Sequence, residues 1–368
     1  MSKKIGILTI IDNKNIGNRL QNFALQEFLK ENRFYAQTIR NAGSITFRLR
    51  IKWLMKSILK EKNRLKRLIR YLNFRKFNKN IHFSNIYIYK CKKSNLVKKS
   101  FKYVIAGSDQ VWNCTFINFS DIYFLPFVDP KKRIAFSASF GINEIPEDKR
   151  DYYKNRLNEM NKISVREERG KEIIEELTGR KDVEVLLDPT MLIETESWEN
   201  VSKKPKQWDK IEEEKYILNY FLGKLSEKRK AEIERVAKEN NCKIINILDK
   251  NDPFYSCGPS EFLYLEKNAF LVCTDSFHSS VFAILFNTPF VVFDREDSTT
   301  KMNSRLDTLL KKFNIQDRWF DKKIKDSQMI ADYKNVNKIL NEERSKAKKF
   351  ITEALKEENW WQNQEQKT

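Results

Sequence analysis

Residues 3–32, KKIGILTIIDNKNIGNRLQNFALQEFLKEN, contain a short apolar run, then a turn with Gly and Asn, then an amphipathic segment. The apolar run at 3–10 predicts a buried strand. The segment 16–32 predicts a helix, because four apolar residues recur on one helical face: Leu20, Phe23, Ala24 and Phe28. A strand, a turn and a helix in this order open an α/β unit.

The same alternation of strands and helices continues along the chain. A first block has predicted strands at 103–107, 133–141, 162–167 and 183–189. A second block has predicted strands at 215–221, 242–248, 269–275 and 289–294, with a helix at 226–240. Because 368 residues exceed the size at which one core stops growing, we expect two Rossmann-like domains facing a cleft. The expected bounds are 1–195 and 196–330, followed by a helical tail at 331–368.

A basic insertion at about 45–80 interrupts the first domain. Between Arg48 and Lys79 there are thirteen Lys or Arg residues against one acid, Glu61. Apolar residues fall near helical spacing, so the insertion is predicted to be a basic amphipathic helix or helical hairpin. One interpretation is a helix packed on its own domain with a solvated basic face. The other is peripheral contact of residues 48–79 with anionic lipid, in which Lys56, Lys66, Arg67 and Arg70 take part.

The composition limits the possible classes of protein. The net charge of +20 favours an anionic partner, but no nucleic-acid motif accompanies it, so nucleic acid is the less favoured one. No stretch has the roughly 18 apolar residues that a membrane-spanning helix needs, and we expect a cytoplasmic protein. The five cysteines form no CxxC pair and the chain has two histidines, so neither a disulfide framework nor a metal site is predicted.

Polar motifs follow several of the predicted strands, where open α/β sheets place their ligands. The motif NKNIGNRLQ contains Gly17 and Asn18, AGSDQVWN contains Asp109, and SVREERGKE contains Arg166. Each motif also has an ordinary structural interpretation: a turn, a helix cap or a surface ion pair.

The stretch CTDSFHSSVFAIL at 273–285 holds one of the two histidines, His278, at a strand-to-helix joint. Asp275 or Ser276 at this joint is equally consistent with a simple N-cap. A Ser-His-Asp hydrolase is disfavoured, because residues adjacent in sequence do not form triad geometry and no GxSxG motif occurs.

Seven motifs in this order resemble the polysaccharide pyruvyl transferase family: GNRLQNFAL, AGSDQVWN, SVREERG, LLDPTML, GPSEFL, CTDSFHSSVFAILFNTPFVVF and NSRLDTLL. The resemblance covers about residues 4–320 and is strongest to the branch with a Thr-Asp-Ser-Phe-His motif. It implies a GT-B-like architecture and transfer of pyruvate from phosphoenolpyruvate onto a saccharide, with formation of a ketal. Characterised members carry an arginine where this chain has Ser276, and Arg295 and Arg305 are candidates to supply that charge.

The resemblance also implies roles for individual residues, with phosphoenolpyruvate as the donor substrate, no cofactor and no metal. His278 is the expected general acid/base, since the ordinary pKa of histidine lies near neutral pH, and Asp109 either orients it or holds a sugar hydroxyl. The expected donor-binding residues are Arg166, Gly17, Asn18, Ser276, Phe277, Arg295 and Arg305. The expected acceptor-binding residues are Gln110, Trp112 and Asn113.

Acceptors in surface-polysaccharide pathways are often lipid-linked. The resemblance therefore also implies that the basic insertion contacts the inner face of the cytoplasmic membrane. Two other functions stay open at this point. One is a GT-B-type glycosyltransferase that uses a nucleotide sugar, and the other is a non-catalytic basic protein that binds membrane or nucleic acid.

Overall fold

The computed structural model describes residues 4–41, 63–88, 94–116, 119–208, 214–296, 304–333 and 335–355. In these residues the chain forms two parallel β-sheets with helices packed around them, which confirms the predicted α/β class. The first part of the predicted basic insertion, residues 45–62, lies outside the described residues.

The N-terminal sheet has seven parallel strands within the described ranges, in the order β3-β2-β1-β4-β5-β6-β7. Their bounds are β1 Ile5–Leu8, β2 Ala36–Asn41, β3 Phe83–Ile88, β4 Tyr103–Ala106, β5 Arg133–Ala138, β6 Lys162–Val165 and β7 Glu184–Val185. The strand order reverses direction between β1 and β4. A crevice outside the carboxyl ends of the strands at such a point is where open α/β sheets bind ligands.

The helices of this part are α1 Ile16–Glu31, α2 Arg64–Phe77, α3 Ser94–Ser100, α4 Arg150–Asn158 and α5 Glu168–Thr178. Helix α1 begins where predicted because the Asn15 side chain accepts a hydrogen bond from the Asn18 amide at 3.1 Å, which caps the first turn. It ends where Arg33 adopts a positive φ of 65°. The cap fixes the direction in which the first turn of α1 faces the other domain.

The C-terminal sheet has four parallel strands in the described chain, ordered β11-β10-β8-β9. Their bounds are β8 Tyr216–Tyr220, β9 Lys243–Asn246, β10 Leu271–Thr274 and β11 Phe290–Val292. The helices around this sheet are α6 Thr195–Val201, α7 Glu227–Glu239, α8 Pro259–Asn268, α9 Phe277–Leu285 and α10 Ser304–Lys312. Both sheets therefore have the predicted Rossmann-like layering of parallel strands and helices.

The two sheets are joined by a shared apolar cluster. Trp198 of α6 is fully buried between Phe23 of α1 and Phe282 of α9, with ring centroids 5.4 and 4.9 Å apart. Aromatic pairs at this separation add to the stability of the buried surface itself. This packing fixes the first turn of α1 relative to α9 across the domain boundary.

Helix α2 belongs to the basic insertion, and its inner side is bound to the C-terminal domain. Arg70 is buried, and its Nη1 donates to the carbonyls of Tyr255 at 3.0 Å and Cys257 at 2.8 Å. Lys66 Nζ donates to the Asn251 carbonyl at 2.9 Å. Two of the four basic residues expected at a lipid surface therefore hold the domains together. The sequence did not reveal this, because the pattern of charge alone does not show which side of a helix is packed.

The last described helix, α11 Val336–Ala354, packs back on the N-terminal sheet. The ring of Phe350 lies 5.9 Å from that of Phe136 in β5, and Arg344 donates to the Ile193 carbonyl at 2.7 Å. Lys312 of α10 donates to Glu343 of α11 at 2.8 Å, so the tail adds a further link between the domains. In the described part of the chain no helix has the length and apolar character needed to cross a membrane.

Candidate active site

The candidate active site lies where the carboxyl ends of β6 and β10 approach each other across the domain boundary. Arg166 follows β6, Asp188 follows β7, and His278 lies in the first turn of α9, which follows β10. Arg166 Nη1 donates to Asp188 Oδ2 at 2.6 Å, and His278 Nε2 lies 3.7 Å from the same oxygen. The structure thus brings Arg166 and His278 together and places a buried carboxylate between them.

Asp188 is fully buried and has several hydrogen-bond donors. Ser108 Oγ donates to its Oδ2 at 2.7 Å, and Thr190 Oγ1 donates to its Oδ1 at 2.7 Å. Burial by itself would raise the pKa of the Asp188 carboxyl, but His278 and Arg166 outweigh it and hold that pKa below its usual range. Asp188 is therefore a fixed negative charge that orients the side chains of Arg166 and His278.

His278 is positioned by a glycine of the other domain. A Cβ at Gly17 would lie 2.2 Å from His278 Nδ1, closer than any real contact allows. Gly17 is the second residue of α1, so the imidazole rests on the first turn of that helix. Its Nε2 is buried and has no hydrogen-bond partner in the described structure. An imidazole nitrogen held beside a carboxylate in this way has the arrangement that a general acid/base requires.

Two buried arginines flank the ring of Phe277. The guanidinium carbon lies 4.5 Å from the ring centroid in Arg166 and 6.0 Å in Arg305. Among the described residues, Nε and Nη2 of Arg166 and Nε of Arg305 are buried without a hydrogen-bond partner. These unused donors are suited to carboxylate or phosphate oxygens.

Asp109 lies at the end of β4 on the N-terminal side of the site. Its Oδ2 accepts from Asn18 Nδ2 at 2.7 Å, and its backbone has a positive φ of 95°. Such a conformation is unusual for a residue with a side chain and is common at functional sites. In the described structure Asp109 and His278 share no hydrogen bond or ion pair, so the carboxylate beside the histidine is that of Asp188.

Arg19 was not among the sequence-predicted site residues. It is fully buried beside Asn18, and its Nη2 donates to the Ile10 carbonyl at 2.8 Å. Burial lowers the pKa of its guanidinium to about 10, while Asp12 and Asp109 act in the opposite direction. Its sequence context gave no indication of burial, because the helical face predicted for α1 contained apolar residues only.

The three predicted acceptor residues have different positions. Trp112 is fully buried and its ring stacks on Phe124 at 5.6 Å, so it packs in the core and does not line the site. Asn113 is also buried. Gln110 is near the site: with its amide oxygen turned toward Arg305, that oxygen lies 3.0 Å from Arg305 Nη1. The prediction that Trp112 binds an acceptor rested on its position in the motif AGSDQVWN. That position does not show that the side chain is buried.

Of the remaining predicted donor residues, Ser276 follows β10 and Arg295 follows β11. Asp275 accepts from the amide of Gly223 at 2.8 Å and lies 3.3 Å from Arg295 Nε. Ser276 is buried and is the N-cap residue of α9, although its side chain forms no capping hydrogen bond. Arg295 is thus paired with Asp275, whereas Arg305 forms no ion pair with any residue that the structure describes.

No group of three or more His, Cys, Asp or Glu side chains that could hold a metal ion occurs within the residues that the structure describes. Within the described residues, the site combines the buried guanidinium groups of Arg166 and Arg305 with the carboxylates of Asp188 and Asp109.

Comparison with known proteins places the chain in a family. The family model described as polysaccharide pyruvyl transferase matches residues 15–298. The chain belongs to this family. No match was found among curated proteins.

Solved structures show what the fold resembles. The UDP-GlcNAc 2-epimerase of Neisseria meningitidis, solved with bound UDP-GlcNAc, has a TM-score of 0.51 and 11% identity, over 96% of this chain and 99% of that one. The UDP-GlcNAc 2-epimerase of Methanocaldococcus jannaschii, solved with UDP-GlcNAc and UDP, has a TM-score of 0.47 and 14% identity, over 96% and 99%. At this identity the first of these likenesses concerns the fold alone, and it confirms the GT-B-like architecture of two domains.

Asp188 is the main site residue that sequence reasoning missed. The motif LLDPTML contains it, at the end of the predicted strand 183–189, and the other site residues also lie at strand ends. The signal was therefore present, but a carboxylate followed by Pro189 also forms a common helix cap, and Asp188 does cap the short turn Pro189–Met191.

Proposed function

We propose that this member of the family transfers pyruvate from phosphoenolpyruvate onto a saccharide and forms a ketal with release of phosphate. The observation that carries the proposal is the buried group of Arg166, Asp188 and His278, in which an unpartnered imidazole nitrogen lies beside unused guanidinium donors. The donor carries a carboxylate and a phosphate, which are the groups that guanidinium donors bind in pairs.

The proposed reaction assigns a role to each member of this group. His278 gives a proton to the vinyl carbon of the donor, and a sugar hydroxyl forms a bond to the neighbouring carbon that carries the phosphate. Phosphate leaves, and a second hydroxyl closes the ketal. Two hydroxyl protons are released, of which one returns to His278 and the other leaves with phosphate. Asp188 keeps the imidazole oriented and stabilises its protonated form, while Arg166 binds an acid group of the donor.

Ligand-dependent melting tests the proposal against a nucleotide-sugar glycosyltransferase. A ligand that binds only the folded state raises the melting temperature with its concentration. We expect phosphoenolpyruvate to raise it and uridine diphosphate to leave it unchanged. If only the nucleotide raises the melting temperature, the function is that of the glycosyltransferase. If neither ligand raises it, the non-catalytic basic protein is favoured.

We also propose that α2 brings the enzyme to the inner face of an anionic membrane, where a lipid-linked acceptor is presented. Three leucines of α2, at spacings of three and four residues, are exposed: Leu65, Leu68 and Leu72, by 68%, 37% and 42%. Exposed basic residues accompany them at Arg64, Arg75 and Lys76, and the helix contains no acid. Apolar anchors beside basic residues give two additive contributions to binding at an anionic lipid surface. This outer face of α2 is the side opposite Arg70 and Lys66.

A further inference from the structure

Arg305, in the first turn of α10, has an environment that is unusual for a buried cation. Its side chain is buried, and in the described part of the chain it forms no ion pair. Its side-chain hydrogen bonds go to a neutral group: with the Gln110 amide oxygen turned toward it, that oxygen lies 3.0 Å from Nη1 and 3.1 Å from Nη2. Buried charges are normally paired, because an unpaired one loses the stabilisation of water without compensation.

A second arginine makes this arrangement less favourable. Arg166 approaches the ring of Phe277 at 4.5 Å, and Arg305 approaches the same ring at 6.0 Å. Burial lowers the pKa of the Arg305 guanidinium to about 10, and repulsion from Arg166 acts in the same direction. Arg305 still carries its charge at neutral pH, so two like charges are held near each other in a buried place.

The nearby carboxylates are already occupied by other groups. Asp188 accepts from Arg166 and Ser108. Asp109, whose charge acts on Arg305, accepts from Asn18 Nδ2 at 2.7 Å and from the Gln110 backbone amide at 2.8 Å. Glu167 Oε1 accepts from Ser139 Oγ at 2.9 Å and from the Phe140 amide at 3.0 Å. The buried guanidinium of Arg305 is therefore available to bind an anion that is not part of the chain.

We infer that Arg305 is the second anion-binding guanidinium of the site and holds one acid group of the donor while Arg166 holds the other. This inference rests on the proposed function and deepens it by assigning the donor two separate arginine contacts around Phe277. Arg305 is the better candidate than Arg295, because Arg295 lies against the Asp275 carboxylate at 3.3 Å.

The test compares Arg305→Met with Lys311→Met, which removes the same charge from an exposed position on α10. Binding of phosphoenolpyruvate and of inorganic phosphate is measured by titration calorimetry, and the melting temperature is recorded without ligand. We expect Arg305→Met to weaken phosphoenolpyruvate binding by about tenfold or more, since a hydrogen-bonded charge contact contributes that much, and Lys311→Met to bind as the wild type does. We expect the melting temperature of Arg305→Met to be unchanged or higher, because an unpaired buried cation is removed.

Each other result has a definite meaning. Wild-type affinity of Arg305→Met for phosphoenolpyruvate would overturn the inference and leave the proposed function intact. If the wild type does not bind phosphoenolpyruvate, the proposed function fails. Phosphate binding that depends on Arg305 would then support the anion site for a different donor, and its absence would overturn the inference. A lower melting temperature with unchanged binding would assign Arg305 a structural role and overturn the inference as well.

Discussion

Gly17 explains how a single histidine is placed between two domains. The imidazole of His278 occupies the space that a side chain at position 17 would need, so the ring is held against the backbone of α1. From the sequence, Gly17 was expected to bind the donor. The structure shows that a side chain of the other domain makes a close approach to its backbone.

Replacing Gly17 with Ala should displace the imidazole while the fold is retained. A Cβ 2.2 Å from Nδ1 forces the ring to move. Because misplacing a catalytic group by about 1 Å can cost about 100-fold in rate, we expect kcat for phosphate release to fall by about that factor. The matched control is Gly170→Ala in α5, where a Cβ meets its nearest neighbours at 3.4 Å. Equal kcat values for the two variants would contradict this account of Gly17.

Replacing Asp188 with Asn should destabilise the protein, because Arg166 is then buried without its counter-ion. Breaking a buried pair in this way costs about 3–5 kcal/mol of unfolding free energy. The pKa of Asp188 is lower in the folded state than in the unfolded chain, so its contribution is present at neutral pH. It is lost as the pH falls below the unfolded value of about 4.

Urea unfolding at a series of pH values measures this effect. We expect the wild type to lose more stability than Asp188→Asn between neutral pH and about pH 3, because the variant lacks the carboxylate that must be protonated. Asp151→Asn is the control, since it removes an exposed carboxylate of α4. If the unfolding free energies of wild type and Asp188→Asn change equally with pH, the Asp188 carboxylate does not contribute to the pH dependence of stability.

At the scale of elements, the sequence predicted four inner strands of the N-terminal sheet and missed two strands that have a polar side. β1, β4, β5 and β6 read as apolar runs, and each was predicted near its observed position. β2 and β3 were not predicted. Polar residues interrupt both, at Gln37, Thr38 and Arg40 in the first and at Ser84 and Asn85 in the second. β3 is an edge strand of the sheet, where one solvated side tolerates such residues.

Helix α2 makes a testable contact between the domains at Gly258. A Cβ at this position would lie 2.8 Å from Cβ of Asn73 in α2. We expect Gly258→Ala to push α2 away and to lower the unfolding free energy by about 1–3 kcal/mol, as overpacking does. Faster hydrogen exchange of α2 amides is the measurement, with Arg75→Met on the exposed side of α2 as the control. Exchange as slow as in the wild type would contradict the proposed packing constraint.

At the scale of the whole molecule, the site could be predicted only in part because its members are far apart in sequence. Asp188 and His278 are both polar residues at strand ends, but their proximity depends on how α1, α6 and α9 pack through Phe23, Trp198 and Phe282. Motif order identified His278 and Arg166. It could not show that Trp112 is buried or that Arg70 faces the other domain.

The outer face of α2 gives a prediction about where the molecule acts. We expect the protein to bind vesicles that contain anionic lipid, and to bind more weakly as salt concentration rises. Replacing Leu65, Leu68 and Leu72 with Ser should remove most of this binding while kcat with a water-soluble acceptor is unchanged. Replacing the exposed Leu96 and Ile330 with Ser is the control. Equal vesicle binding by the two sets of variants would rule out the outer face of α2 as the contact.

The most direct test of the central claim is the mass of a saccharide after incubation with the enzyme and phosphoenolpyruvate. The acceptors are a panel of synthetic and lipid-linked sugars, and phosphate release is recorded in the same samples. We expect one of them to gain the mass of one pyruvate less one water, with one phosphate released per product, and we expect His278→Ala to form none. Formation of the same product by His278→Ala at the wild-type rate would contradict the mechanism, and phosphate release without any gain in acceptor mass would contradict the transfer itself.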